Sequence, residues 1–158
     1  MHFPIITLYD RKPTASELHH TPSGMYEDAT IAYNTDYFGE EYTKEQRDEL
    51  LHSKYLKEFF DGIATVNPGK GTITFLDEDT IRKTLLDYAS KQLDALKERL
   101  ESGRMRFYDF RSAGNDFRGG DYMFWYQYGA FTSGQFIEDT PYYAGKTLYI
   151  GVVVDAHC

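Results

Sequence analysis

Between residues 104 and 120 the chain reads RMRFYDFRSAGNDFRGG: four arginines and no lysine, set among Phe107, Tyr108, Phe110 and Phe117 and closed by two glycines. Guanidinium groups bind phosphate or carboxylate through paired N–H donors and stack on rings. Glycine lets a backbone approach an anion closely. Arg106, Arg111 and Arg118, with Trp125 and Tyr126 in the aromatic stretch DYMFWYQYGAF that follows, form one candidate ligand site for a nucleotide or a similar small anion. The competing reading pairs these arginines with the chain's own acids, and a net charge of −8 favours it.

The second candidate is MYEDATIAYNTDYFGEEY, residues 25–42, with five acids, four tyrosines and no lysine, arginine or histidine. Carboxylates spaced among rings suit a basic partner, and tyrosine adds contact area at low entropic cost. Tyr26, Glu27, Asp28, Tyr33, Asp36, Tyr37, Glu40 and Glu41 are the expected partner-binding residues. The plainer alternative is a solvated loop whose rings tuck onto the core.

Other chemistries find little support. NPGKGT lacks the glycine five residues before its Gly-Lys pair and a Ser/Thr directly after the lysine, so it reads as a hairpin turn rather than a phosphate loop. Asp155 and His157 stand two apart and could share a metal with His19 or His20, but no ligand spacing ties the pairs together. No GxSxG elbow occurs. Cys158, the single cysteine, has nothing to activate it and permits no intramolecular disulfide. The expectation is no catalytic residue, no metal and no cofactor.

The elements that must hold these stretches follow from periodicity and punctuation. Residues 3–9 begin as a strand. A long acidic connection, about 10–42, shows no helical period, and ATIAY within it reads as a short strand. Thr43 and Gln46 form a capping box for a helix over 44–60, with Leu51, Tyr55 and Phe59 on one stripe beside Leu56 and Phe60. IATVNPGKGTITFL alternates on both sides of its turn, a hairpin. Residues 79–102 repeat Ile81, Leu85, Ala89, Leu93, Leu96 and Leu100 at three and four, a second amphipathic helix. RMRFYDF and the aromatic stretch at 121–128 follow as strands, then a weaker TSGQFIED segment and KTLYIGVVVDA as the final strand, with residues 156–158 frayed.

The order predicts a single α+β domain: a mainly antiparallel sheet with two amphipathic helices on one face. Its first half follows the ferredoxin-like β-α-β-β-α-β order, with C-terminal strands added. In the aromatic strand, the three hydroxyls of Tyr122, Tyr126 and Tyr128 argue for the Met123/Trp125 face toward the helices and the tyrosine face under the long connection.

At 158 residues the chain can bury roughly 70% of its unfolded surface. Fourteen tyrosines point to half-wet surfaces and interfaces. The acidic excess gathers in residues 1–42, where seven acids meet two bases. That balance disfavours binding along a nucleic-acid backbone, and the RNA-recognition signature is absent. MHFPIITLYDRK is too short an apolar run for a signal peptide or a membrane span. The expectation is thus a cytoplasmic, non-enzymatic binding protein of the inhibitor, immunity or anti-defence type that engages a basic protein surface.

Overall fold

A computed structural model describes residues 2–103 and 122–158. Arg106, Arg111, Arg118 and the expected RMRFYDF strand lie outside the described residues. Among the described residues seven strands form one sheet: β1 (His2–Tyr9), β2 (Tyr37–Glu41), β3 (Ala64–Asn67), β4 (Thr72–Phe75), β5 (Met123–Tyr126), β6 (Gly129–Thr132) and β7 (Thr147–His157). They run in the order β3-β4-β7-β1-β5-β6, with β2 on the free edge of β7 beyond β4. β1 and β5 are parallel, and the other pairs are antiparallel. With its helices this is the expected α+β architecture.

The strand order departs from the ferredoxin-like one, in which β1 would lie against β4. β7 takes that place. Its eleven residues are almost continuously buried, and a strand apolar on both faces belongs at the centre of a covered sheet. It therefore runs to His157, where Tyr37 and His2 pair with it, and the end expected to fray does not.

β7 also changes phase. Ile6 stands opposite Val153 and Leu8 opposite Ile150, so β7 spends one more residue than β1. This bulge turns Leu148, Ile150 and Val153 to one face and Val152, Val154 and Ala156 to the other. The carbonyls it displaces are taken by side chains. Thr7 donates its hydroxyl to Val152 at 2.6 Å, and Arg47 donates to Gly151 at 3.0 Å and Ile150 at 2.7 Å.

One face carries α3 (Lys44–His52), α4 (Lys54–Phe59), the start of a long helix at Glu78–Glu101 and a short one at Ser133–Asp139. Its core centres on rings: Phe124 stacks on Phe136 with centroids 4.1 Å apart, and Phe59 and Phe60 pack alongside. The helix expected over 44–60 is broken. Ser53 is extended, with ψ 141, and caps the next turn by accepting from Leu56 N. The break rotates the second piece, so Leu56, Phe59 and Phe60 are buried while Tyr55 is exposed.

The opposite face is covered in part by the 10–42 connection, which is more regular than its sequence suggests. It forms α1 (Ala15–His19), a 3-10 turn (Ser23–Glu27) and α2 (Ala29–Asn34); ATIAY is helical because Asp28 caps it through Thr30 N and Ile31 N. Chain order makes Glu78–Glu101 α5 and Ser133–Asp139 α6; the weakly marked TSGQFIED segment is helical because Thr132 and Gln135 form a capping box. Met25 and Ile31 seat the connection on Phe3, Ile5, Met123, Trp125, Val152 and Val154. It stops where the sheet face turns to threonine: Thr65, Thr74 and Thr147 lie in register across β3, β4 and β7.

The aromatic strand is covered on both faces, but in the reverse sense to that expected. Met123 and Trp125 lie under the connection, while Phe124 and Tyr126 face the helices. The hydroxyl of Tyr126 reaches the end of the strand and donates to Asp10 at 2.7 Å, which makes its burial tolerable. Along α5 only Ile81 is fully buried; Leu93 and Leu100 are exposed. The expected core stripe therefore holds for the first turns and not beyond. Among the described residues no helix is long and apolar enough to cross a membrane.

Candidate functional site

The lid formed by residues 10–42 presents its outer surface as the sequence implied for some residues and differently for others. Tyr33 at 90% exposure, Tyr26 at 63% and Tyr37 at 59% stand in solvent. Tyr26 is propped against Phe38 with centroids 4.9 Å apart, and Tyr37 lies on β2. Glu27 and Glu40 are exposed, and neither has an ion-pair partner among the described residues.

The other three acids serve the lid itself. Asp28 caps α2 and accepts from Ala130 N at 3.3 Å, tying the lid to β6. Asp36 lies 2.8 Å from His157 Nδ1, and this contact holds its carboxyl below the usual range. Glu41 accepts the hydroxyl and amide of Thr21, and the hydroxyl bond above all lowers its pKa. His157, considered as a metal ligand with Asp155, instead faces Asp36, and Asp155 faces His2 at 2.7 Å. The rings of His2 and His157 meet edge to face at 5.1 Å. Among the described residues no group of three or more His, Cys, Asp or Glu could hold a metal ion.

Of the alternative ligand residues, Trp125 and Tyr126 are described, and both are buried. Trp125 lies under the lid, its ring edge 3.6 Å from where a Cβ on Gly24 would stand. Neither ring is free for a base to stack upon. Both nevertheless reach the wall of a cleft of about 630 Å³ that also takes in Tyr9, Asp10, Arg11, Glu17, His20 and Tyr128.

The sequence reading missed this cleft. α1 starts at a capping box, Thr14 with Glu17, whose TxxE spacing is visible in the chain. Glu17 also takes the fork of Arg11 at 2.7 and 2.8 Å. The Arg11 bonds, followed by those from Thr14, lower its pKa to about 2. The opposite wall is the β5–β6 turn, where Gln127 and Tyr128 adopt φ 50 and φ 65. Two-residue hairpin turns of this kind usually carry Asn-Gly, and a non-glycine residue there costs roughly 1–2 kcal/mol. Tyr128 is thereby held at 95% exposure. Burial, then Asp10, raises the pKa of Tyr126, and burial, then Asp139, pushes Tyr143 up to about 12. Comparison of the chain with protein-family models, curated proteins and solved structures finds no match.

Proposed function

We propose that the chain is a non-enzymatic binding protein that engages a basic protein surface through the outer face of the 25–42 segment. The observation that supports this reading most is the union of rigidity and exposure in one element. The segment is pinned from beneath by Met25 and Ile31, tied at its sides by Asp28, Asp36 and Glu41, and still leaves Tyr26, Tyr33 and Tyr37 in solvent. Rings held in place lose little freedom when a partner covers them. Glu27 and Glu40 add charge that forms no ion pair among the described residues, which suits lysine- or arginine-rich surfaces and a fast, salt-sensitive encounter.

The test is affinity capture with identification of the retained proteins, comparing the natural chain with Tyr33→Ala/Tyr37→Ala/Glu27→Gln/Glu40→Gln. Asp36 and Asp28 are spared because they hold the lid. The reading expects captured proteins of high isoelectric point that are lost in the variant and elute with moderate salt. Capture that survives the fourfold change, or that ignores salt, would remove this face from consideration.

A further inference from the structure

Because β1 and β5 run parallel, their carboxyl ends are neighbours, and the cleft of about 630 Å³ opens between them. Crevices outside the carboxyl ends of parallel strands are common ligand sites, and small-molecule sites run to ~300–1,000 Å³. The charges in this one are unevenly committed. Arg11 and Glu17 satisfy each other through two parallel hydrogen bonds and cancel. Among the described residues Asp10 accepts one bond, from the Tyr126 hydroxyl at 2.7 Å. Asp10 has no ion-pair partner among the described residues.

Tyr9, Tyr126 and Tyr128 line the same cleft as that carboxylate, and Tyr126 reaches it through its hydroxyl. Such a carboxylate attracts cations through its charge, and the exposed ring of Tyr128 offers a negative face to them. An anion would meet Asp10 unshielded and find Arg11 already engaged. Burial above all raises the pKa of Tyr9 and of Tyr126, and the neighbouring carboxylates of Glu17 and Asp10 add to it, while Arg11 works against the shift at Tyr9. The unusual turn conformation of Tyr128 holds its ring at the mouth rather than in the core.

We propose that this cleft binds an organic cation, an ammonium or guanidinium head on an aliphatic stem, with the head at Asp10 and Tyr126 and the stem along Tyr9 and Tyr128. Such a group could belong to a free amine or to a lysine or arginine side chain of a polypeptide. The site does not rest on the lid-face reading, since it shares none of the residues altered in that test.

Calorimetric titration of the full chain with agmatine, with a capped tri-arginine peptide and with AMP tests it. Agmatine or the peptide should bind, the tighter of the two marking the source, and AMP should give no heat. Asp10→Asn should weaken cation binding by about tenfold, as expected for a lost charge-assisted hydrogen bond. Tyr128→Gly, at an exposed position where folding is not at stake, should weaken it as well, while Glu40→Gln should leave it unchanged. Binding of AMP, failure of both cations to bind, or cation affinity unaltered in both cleft variants would overturn the proposal.

Discussion

Arg47 reaches from α3 to the bulge of β7, where its Nε donates to the carbonyl of Gly151 at 3.0 Å and its Nη2 to Ile150 at 2.7 Å. No carboxylate forms an ion pair with it among the described residues. Burial accordingly lowers its pKa, and Asp48 offsets this only in part. The side chain stands where β4 and β2 leave the edge of β7 unpaired, so one residue of α3 completes the hydrogen bonding of the central strand.

Replacing Arg47 by methionine should therefore destabilise the chain by about 2–4 kcal/mol, because two carbonyls lose their donors with little water to replace them. Lysine presents a point charge and cannot span both oxygens, so Arg47→Lys should recover less than half of the loss. Urea unfolding measures both. Equal stability of Arg47→Lys and the natural chain would show that the fork geometry does not matter.

Gly151 and Gly134 give a matched pair. A Cβ on Gly151 would overlap the ring of Tyr9 and lie 2.7 Å from the Thr7 hydroxyl and 2.8 Å from the carbonyl of Glu17, whereas one on Gly134 meets nothing within 4 Å. Gly151→Ala should cost about 3 kcal/mol, at the upper end of overpacking, and should shift α1. Gly134→Ala lies inside α6 and should stabilise by ~0.5–1 kcal/mol. Thermal melts of the two variants should move in opposite directions; a small effect at Gly151 would mean that α1 is not seated against the bulge.

Glu17 fixes an acid dependence. Its pKa is about 2 in the folded chain against an ordinary 4.5, so the native state favours the charged form. The stability it contributes is complete above about pH 4.5 and drains away as pH falls toward 2. Glu17→Gln should lower stability at pH 7 and flatten the decline across that window. Denaturant midpoints taken from pH 7 to pH 2 decide the matter: parallel declines in variant and natural chain would show that the Arg11 contact is not formed in solution.

The β5–β6 turn trades stability for the placement of a ring. Gln127→Asn with Tyr128→Gly supplies the residues that φ 50 and φ 65 prefer, and should raise stability by ~1 kcal/mol. An unchanged or lower melting temperature would mean that the turn takes another conformation when free in solution.

The parts of the fold legible in the chain were those in which neighbouring residues decide the outcome. Thr43 with Gln46 gave the start of α3, NPGKG the β3–β4 turn and the leucine period the course of α5, and each stands in the structure. Where the chain misled, a more distant contact or an overlooked cap decided. ATIAY alternates like a strand until Asp28 caps it. Leu93 and Leu100 mark a face of α5 but not what covers it, and the face of Trp125 was settled by which side Met25 and Ile31 pack against. The cleft could not be read because Asp10 and Tyr126 become neighbours only through the parallel pairing of β1 with β5. The chain left open whether Tyr26, Tyr33 and Tyr37 face a partner or tuck onto the sheet, where the structure leaves them in solvent.

The central place of β7 bears on how the sheet assembles. It joins the β3–β4 hairpin and β2 to β1, and its contact with β1 spans 145 positions of sequence between Thr7 and Val152. Until β7 arrives, the hairpin and β1 have no shared edge, and the apolar residues of Ile5, Ile6 and Leu8 have no strand beside them on that side. Closure of so long a loop is costly before its contacts form, so slow, topology-limited folding is expected, with β1 open to intermolecular pairing until β7 arrives.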